Sequence, residues 1–252
     1  MSTLKELAKQ VPGVRRLQRA LRGLYVAWRK RSNPTRYLFT DIFERRLWGD
    51  GPSVSGPGSD LEQTRAVCES LPGLFEELEI ERLLDLPCGD FHWMSRVPLN
   101  GLRYVGADIV SELVRRNQAR HAREGVTFEQ LDLLRDPLPA ADLILCRDCL
   151  VHFSFADIRT ALERFATSGA RYLLTTHFPG TAANREIETG DWRPLNLELA
   201  PFHLPPPKKL IFEACTLEGG AHRDKVLGLW RIAELAAPDA RWRACVRGGS
   251  SS

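Results

Sequence analysis

Leu83-Leu84-Asp85-Leu86-Pro87-Cys88-Gly89-Asp90-Phe91 is the stretch whose reading decides the fold. Its apolar start has the length of a buried strand, and the Pro-Cys-Gly-Asp that follows ends it in a turn. Outward from it, short apolar runs recur at Arg82–Leu86, Tyr104–Ala107, Val126–Leu131, Ala141–Cys146 and Tyr172–Thr176, with a last strand expected over Val226–Ile232. Helical patterns at Ser111–Arg123 and Phe155–Thr167 lie between several of them. Strands alternating with helices predict a doubly wound, mostly parallel α/β sheet covered on both faces.

The flanks read differently. Residues 1–31 carry nine Lys or Arg against one acid, a net +8, whereas the other 26 bases and 31 acids give −5. The overall +3 is therefore an acidic body with a basic arm. Val14, Leu17, Leu21, Leu24 and Trp28 recur at helical steps among the arginines, after a Pro12-Gly13 interruption. Such a helix packs on its own domain or meets an anionic membrane or a partner protein. Asn33-Pro34 ends the arm, and Gly49 to Gly58 is a loop rich in glycine and proline. Ser59-Asp60-Leu61-Glu62 fits a capping box for a helix expected to run to Leu71 and stop at Pro72-Gly73. The boundaries drawn are 1–50 for a basic helical extension, 51–245 for the α/β domain and 246–252 for a tail. With 43% apolar and 27% charged residues the 252-residue chain is globular in composition. No apolar run reaches the roughly 18 residues of a membrane span. The first residues lack the pattern of an export signal, and the six cysteines are too sparse for a disulfide scaffold. A cytoplasmic protein with free thiols is expected.

In a parallel sheet, ligands sit at the carboxyl ends of the strands. The first strand ends at Asp85 to Gly89, and the second at Asp108, a carboxylate placed to accept both hydroxyls of a ribose. Dinucleotide binding wants glycines where this chain has Pro87 and Phe91, and proline offers no N–H to a phosphate. A cofactor with ribose but no phosphate suits this loop, and S-adenosylmethionine is such a cofactor. Asp108 would then hold the adenosine and Asp85 the aminoacyl part. Taken singly, Asp85 is equally a turn residue and Asp108 a helix cap.

At this point the sequence resembles the class I S-adenosylmethionine-dependent methyltransferases, over roughly Gly56 to Ile232. Four ordered blocks carry the resemblance. Leu84-Asp85-Leu86-Pro87-Cys88-Gly89-Asp90 looks like motif I, and Tyr104-Val105-Gly106-Ala107-Asp108-Ile109 looks like the ribose-binding block. Leu131-Asp132-Leu133 looks like the adenine-contacting block, with Asp132 accepting from the exocyclic amine. Asp142 to Cys146, followed by Arg147-Asp148-Cys149-Leu150-Val151-His152, looks like motif IV and the loop facing the methyl group. The resemblance implies a seven-stranded Rossmann-like sheet and cofactor contacts from Asp85, Pro87, Cys88, Gly89, Asp108, Ile109, Asp132, Leu133 and Arg147. Ser55-Gly56-Pro57-Gly58-Ser59, Cys88-Gly89-Asp90-Phe91-His92-Trp93, Cys146-Arg147-Asp148-Cys149 and Gly190-Asp191-Trp192-Arg193-Pro194-Leu195-Asn196 resemble, more narrowly, a bacterial subgroup associated with polysaccharide and glycoconjugate clusters.

Several residues carry two readings. His152 is a general base for the acceptor or a helix-start histidine. Asp148 is a second base candidate or a metal anchor, but no second and third carboxylate completes a metal site, so no metal is expected. Cys146-x-x-Cys149 lacks a second Cys/His pair for zinc and reads as structural thiols. Gly190–Asn196 offers Asp191, Trp192, Arg193 and Asn196 to a polar, sugar-like acceptor, or is an ordinary hairpin. Trp93 and His177 complete the acceptor candidates. The expectation is a methyltransferase acting on a small-molecule or glycosidic acceptor. Its rival is a non-catalytic module whose basic arm docks to an anionic membrane, nucleic acid or a partner. Nucleic acid as substrate is disfavoured, because the body that holds the cleft is net acidic.

Overall fold

The computed structural model describes residues 31–49 and 51–236. The basic arm up to residue 30 and the tail 246–252 both lie outside the described residues. Helix α1 (Pro34–Glu44) begins at Asn33, whose Oδ1 accepts from the Arg36 amide at 2.8 Å, with Pro34 at the first helical position. Helix α2 (Leu61–Glu77) leads to strand β1 (Arg82–Asp85). Next come β2 (Arg103–Asp108), α3 (Ser111–His121), β3 (Val126–Gln130), β4 (Leu143–Cys146), α4 (Phe155–Thr167) and β5 (Tyr172–His177). The chain closes with β6 (Lys209–Phe212), β7 (Val226–Arg231) and α5 (Ile232–Ala236).

Among the described residues these strands form one sheet in the order β3-β2-β1-β4-β5-β7-β6. β1 to β5 run parallel, and β7 lies antiparallel to both β5 and β6. The mostly parallel, seven-stranded, doubly wound sheet is thus present. The central strands β1, β4, β5 and β7 are buried on both faces because both are covered. Leu84, Ile144, Leu173 and Trp230 enter one core, closed by α4 and α5. Leu83, Leu143, Leu174 and Leu227 enter the other, closed by α2. In α4, Ser154 Oγ accepts from the Asp157 amide, and Ile158, Ala161, Leu162 and Phe165 form the buried stripe.

Two local expectations fail. Helix α2 runs through Pro72 to Glu77 instead of stopping there. A proline inside a helix costs about 3 kcal/mol, but burying Leu74 and Phe75 contributes roughly 1.5–3 kcal/mol each. Packing wins over propensity. Its start is also shifted: Ser59 belongs to a short 3₁₀ turn (Pro57–Ser59), and the N-cap is Asp60, which makes no side-chain capping bond. Strand β6 has no counterpart in the sequence reading. It is four residues long behind Pro205-Pro206-Pro207, it borders only β7, and Ile211 alone of its residues is buried.

Candidate active site

The strand order reverses between β1 and β4, so the loops after them diverge and leave a crevice at their carboxyl ends. A cavity of about 500 Å³ lies there, within the range of ligand pockets. Of the candidate site residues, Pro87, Cys88, Gly89, Asp108, Ile109, Asp132, Leu133, Arg147, Asp148, His152, Trp93, Asp191 and Trp192 line it. Asp85, His177, Arg193 and Asn196 do not.

The loop after β1 is held by backbone and by its neighbour strand. The Cys88 amide donates to the Ala107 carbonyl at 2.8 Å, and the Gly89 amide donates to Asp108 Oδ2 at 3.2 Å. Asp108 Oδ1 accepts from the Val110 amide at 2.8 Å. Burial pushes the Asp108 carboxyl up to about 6, against the opposing pull of these amides. Gly89 has φ +53°, and a Cβ there would lie 2.2 Å from Ser55 Oγ, so a side chain at this position would be strained and would displace the Ser55 hydroxyl. Asp90 clamps the loop above: Oδ1 accepts from Ser53 Oγ and Oδ2 from the Val54 amide, each at 3.0 Å. Asp85 sits below the floor, where Tyr104 donates to it at 2.6 Å and burial pushes it up to about 7. Phe91 turns away as well, into an aromatic cluster with Tyr104 and Phe128. Asp132 Oδ2 accepts from Asn33 Nδ2 at 2.7 Å, and its Oδ1 accepts from the Leu134 amide at 3.0 Å.

At the other end stands a ring of four charges. Arg147 pairs with Glu213 at 2.6 Å and with Asp148 at 3.1 Å, and Lys225 pairs with Asp148 at 2.7 Å and Glu213 at 3.2 Å. Burial would raise the Asp148 carboxyl, but Arg147 and Lys225 outweigh it and hold the group well below the usual carboxylate range. So placed, Asp148 is a fixed anion and a poor proton acceptor. His152 differs. Burial lowers its imidazole below the ordinary value, against the opposing pull of the Asp191 carbonyl and Asp148. Its Nδ1 is 2.9 Å from the Asp191 carbonyl oxygen. A carbonyl only accepts, so Nδ1 carries the proton and Nε2 is the basic nitrogen.

The three remaining acceptor candidates are struts behind the cavity. Arg193, 1% exposed, donates to the carbonyls of Leu150, Val151 and Phe153 and so braces the turn that carries His152. Asn196 donates to the Pro179 and Thr181 carbonyls. His177 accepts from the Leu197 amide at Nδ1, faces Glu198 at 3.2 Å through Nε2 and packs on Trp230. Adjacent residues such as Trp192 and Arg193 face opposite ways, which no spacing in the sequence discloses. Cys146 and Cys149 are buried free thiols. Among the described residues, no group of three His, Cys, Asp or Glu is placed to hold a metal.

The cavity also has walls that motif reading missed. Thr35, Phe39, Phe43 and Trp48 come from the segment before residue 50, so the boundary drawn there cuts through the site. Lys225, His222 and Glu218 come from the irregular stretch around β6 and β7. The dense glycines of 49–58 were the one local signal of this roof.

Residues 83–168 match the family model of a methyltransferase domain. Among solved structures, the chain is similar to human N-acetylserotonin methyltransferase in complex with SAM, with 15% identity and a TM-score of 0.47 over 77% of this chain and 66% of that one. It is similar also to magnesium protoporphyrin IX methyltransferase from Synechocystis PCC 6803 with bound SAM (18%, 0.43, over 60% of this chain and 80% of that one). A third likeness is N-methyltransferase NodS from Bradyrhizobium japonicum WM9 with S-adenosyl-L-homocysteine (18%, 0.44, over 55% and 72%). The chain thus spans just under two thirds of the length of the human enzyme. No curated protein matches the sequence. The matched stretch, residues 83–168, contains β1 to β4, and the loops after β1, β2 and β4 form the floor of the cavity.

Proposed function

We propose that this chain is an S-adenosylmethionine-dependent methyltransferase that modifies a hydroxyl of a small, sugar-like acceptor in the cytoplasm. The joint placement of Gly89 and Asp108 carries the reading: a tight positive-φ turn after β1, tied by its amide to a buried carboxylate at the end of β2, with both residues lining one cavity. The donor set fits the cofactor. Asp108 offers carboxylate oxygens to a ribose, Asp132 offers another to an amine, and no phosphate-binding cradle is needed. When bound, S-adenosylmethionine supplies a methyl group already activated on a positively charged sulfur.

The chain's own work is positioning, proton removal and exclusion of water. His152 Nε2 takes the acceptor proton, because the Asp191 carbonyl has committed Nδ1 and burial keeps the ring neutral. Asp148, held ionised by Arg147 and Lys225, lies near enough to favour the imidazolium that forms. Phe39, Phe43 and Phe153 wall the site against water. Trp192, 38% exposed, offers a ring face to a sugar at the mouth, beside Asp191. The glycoconjugate class of acceptor is supported by this pairing of aromatic faces with carboxylates, and by the subgroup resemblance of Gly190–Asn196. Incubation with methyl-labelled cofactor and a set of methyl hexopyranosides, read by mass spectrometry, tests it. Labelled glycoside is expected. Cofactor binding without transfer to any of them would move the acceptor to another class.

A further inference from the structure

We infer that Trp48 is the positioning residue of the His152 imidazole, so that the helix–turn segment before the domain completes the base. This rests on the reading of His152 as base, and adds what holds it.

Trp48 follows α1 by four residues, and its ring lies 5.1 Å from that of His152, tilted by 31°. Phe39 of α1 touches Trp48 at 6.1 Å and Phe153 at 6.0 Å, so the indole is backed by a chain of rings that ends next to His152 in sequence. Gly190 leaves room for Leu38 of the segment, and Gly56 lies in contact with Trp48. A Cβ on Gly190 (φ +110°) would lie 2.8 Å from Leu38 Cδ2, and one on Gly56 (φ +90°) would lie 3.4 Å from Trp48 Cβ. The Gly190 amide donates to the His152 carbonyl at 2.8 Å, so the loop that receives Leu38 is the loop that fixes His152. The imidazole is thereby restrained twice, by a carbonyl at Nδ1 and by an indole on its face. The carbonyl holds Nδ1 by one hydrogen bond, which is lost if the ring swings about its bond to Cβ. The indole packed beside the ring opposes that swing and so protects the hydrogen bond. The charged groups near the ring, Asp148, Lys225 and Arg193, have partners of their own and stay in place when Trp48 changes.

The test uses the full chain labelled with ¹⁵N-histidine, with His152 assigned through His152→Gln. Wild type is expected to show one tautomer, protonated at Nδ1. Trp48→Phe, which keeps a ring, should retain that signature, and Trp48→Leu should average the two nitrogens. On methyl hexopyranosides, Trp48→Leu should lose at least about tenfold in kcat while its affinity for S-adenosylhomocysteine stays at the wild-type value. An unchanged single tautomer in Trp48→Leu overturns the inference. If thermal melting shows that variant to be unfolded, Trp48→Met replaces it, with the same two outcomes. Full turnover in His152→Gln would instead remove His152 as base, a failure of the underlying reading that the tautomer signals do not share.

Discussion

The floor of the cavity, made by the loops after β1, β2 and β4, and its roof, made by residues 33–59 and the stretches around Trp192 and Lys225, are held in different ways. In the floor backbone amides of neighbouring loops do the holding: Cys88 donates to the Ala107 carbonyl, and Gly89 and Val110 donate to the one carboxylate of Asp108. In the roof side chains do it across long sequence separations: Asn33 to Asp132, Asp90 to Ser53, Trp48 against His152. A floor built this way hangs on backbone amides and a single buried carboxylate within about twenty residues of each other, which suits a constant cofactor. A roof of side chains is easily re-cut, which suits a particular acceptor. Damage to the floor should therefore appear in cofactor affinity, and damage to the roof in turnover.

The largest effect is expected where the two meet. His152→Gln should lower turnover by roughly 10²–10⁴ and leave S-adenosylhomocysteine affinity unchanged in calorimetry. Loss of both together would place His152 in the floor. Next come neighbours with opposite roles. Arg193→Met removes the guanidinium's hydrogen bonds to three carbonyls behind the His152 turn and should cost about 2–3 kcal/mol, read as a lower melting temperature. Trp192→Ala should leave the melt alone and reduce turnover only. If the two variants behave alike, the distinction between strut and mouth fails.

A smaller effect sharpens the floor's electrostatics. Only the ionised Asp108 carboxylate accepts fully from a ribose, and its carboxyl titrates near 6. Cofactor affinity should therefore weaken as pH falls through about 6, and Asp108→Asn should abolish that dependence. Because burial raises this carboxyl above its unfolded value, the folded state binds the proton more readily. The same group thus lowers stability as pH rises from the ordinary carboxylate range towards 6. The smallest expected effect concerns the basic arm. Deleting residues 1–31 should preserve folding and cofactor binding but remove salt-sensitive association with anionic phosphatidylserine vesicles. A truncated chain that fails to fold would assign the arm to the domain's own packing.

How much of this was legible in the sequence follows the same division. Strands β1, β2, β4, β5 and β7 were readable because each is a short apolar run with little exposed surface, whereas β3 buries only Val126 and Phe128; α4 was readable from its apolar stripe. Gly89, Asp108 and Asp132 were readable because a strand-end turn is a local pattern. Asp85 was placed in the site by the same logic, but the side chain points below the floor to Tyr104. Pro72 read as a stop because propensity is local and the burial of Leu74 and Phe75 is not. The roles of Trp48, Lys225 and Glu213 depend on residues about 80 to 100 positions away or across an unread edge strand, and nothing in their neighbourhood announces them.

The central claim is a cofactor site on the β1 and β2 loops, and calorimetric titration of the full chain with S-adenosylhomocysteine tests it most directly, in wild type and in Asp108→Ala. One site should be seen in wild type, weakened by roughly 1.5–3 kcal/mol in the variant, the worth of hydrogen bonds to a charged acceptor. No heat of binding in wild type, or an equal affinity in Asp108→Ala, would contradict the account.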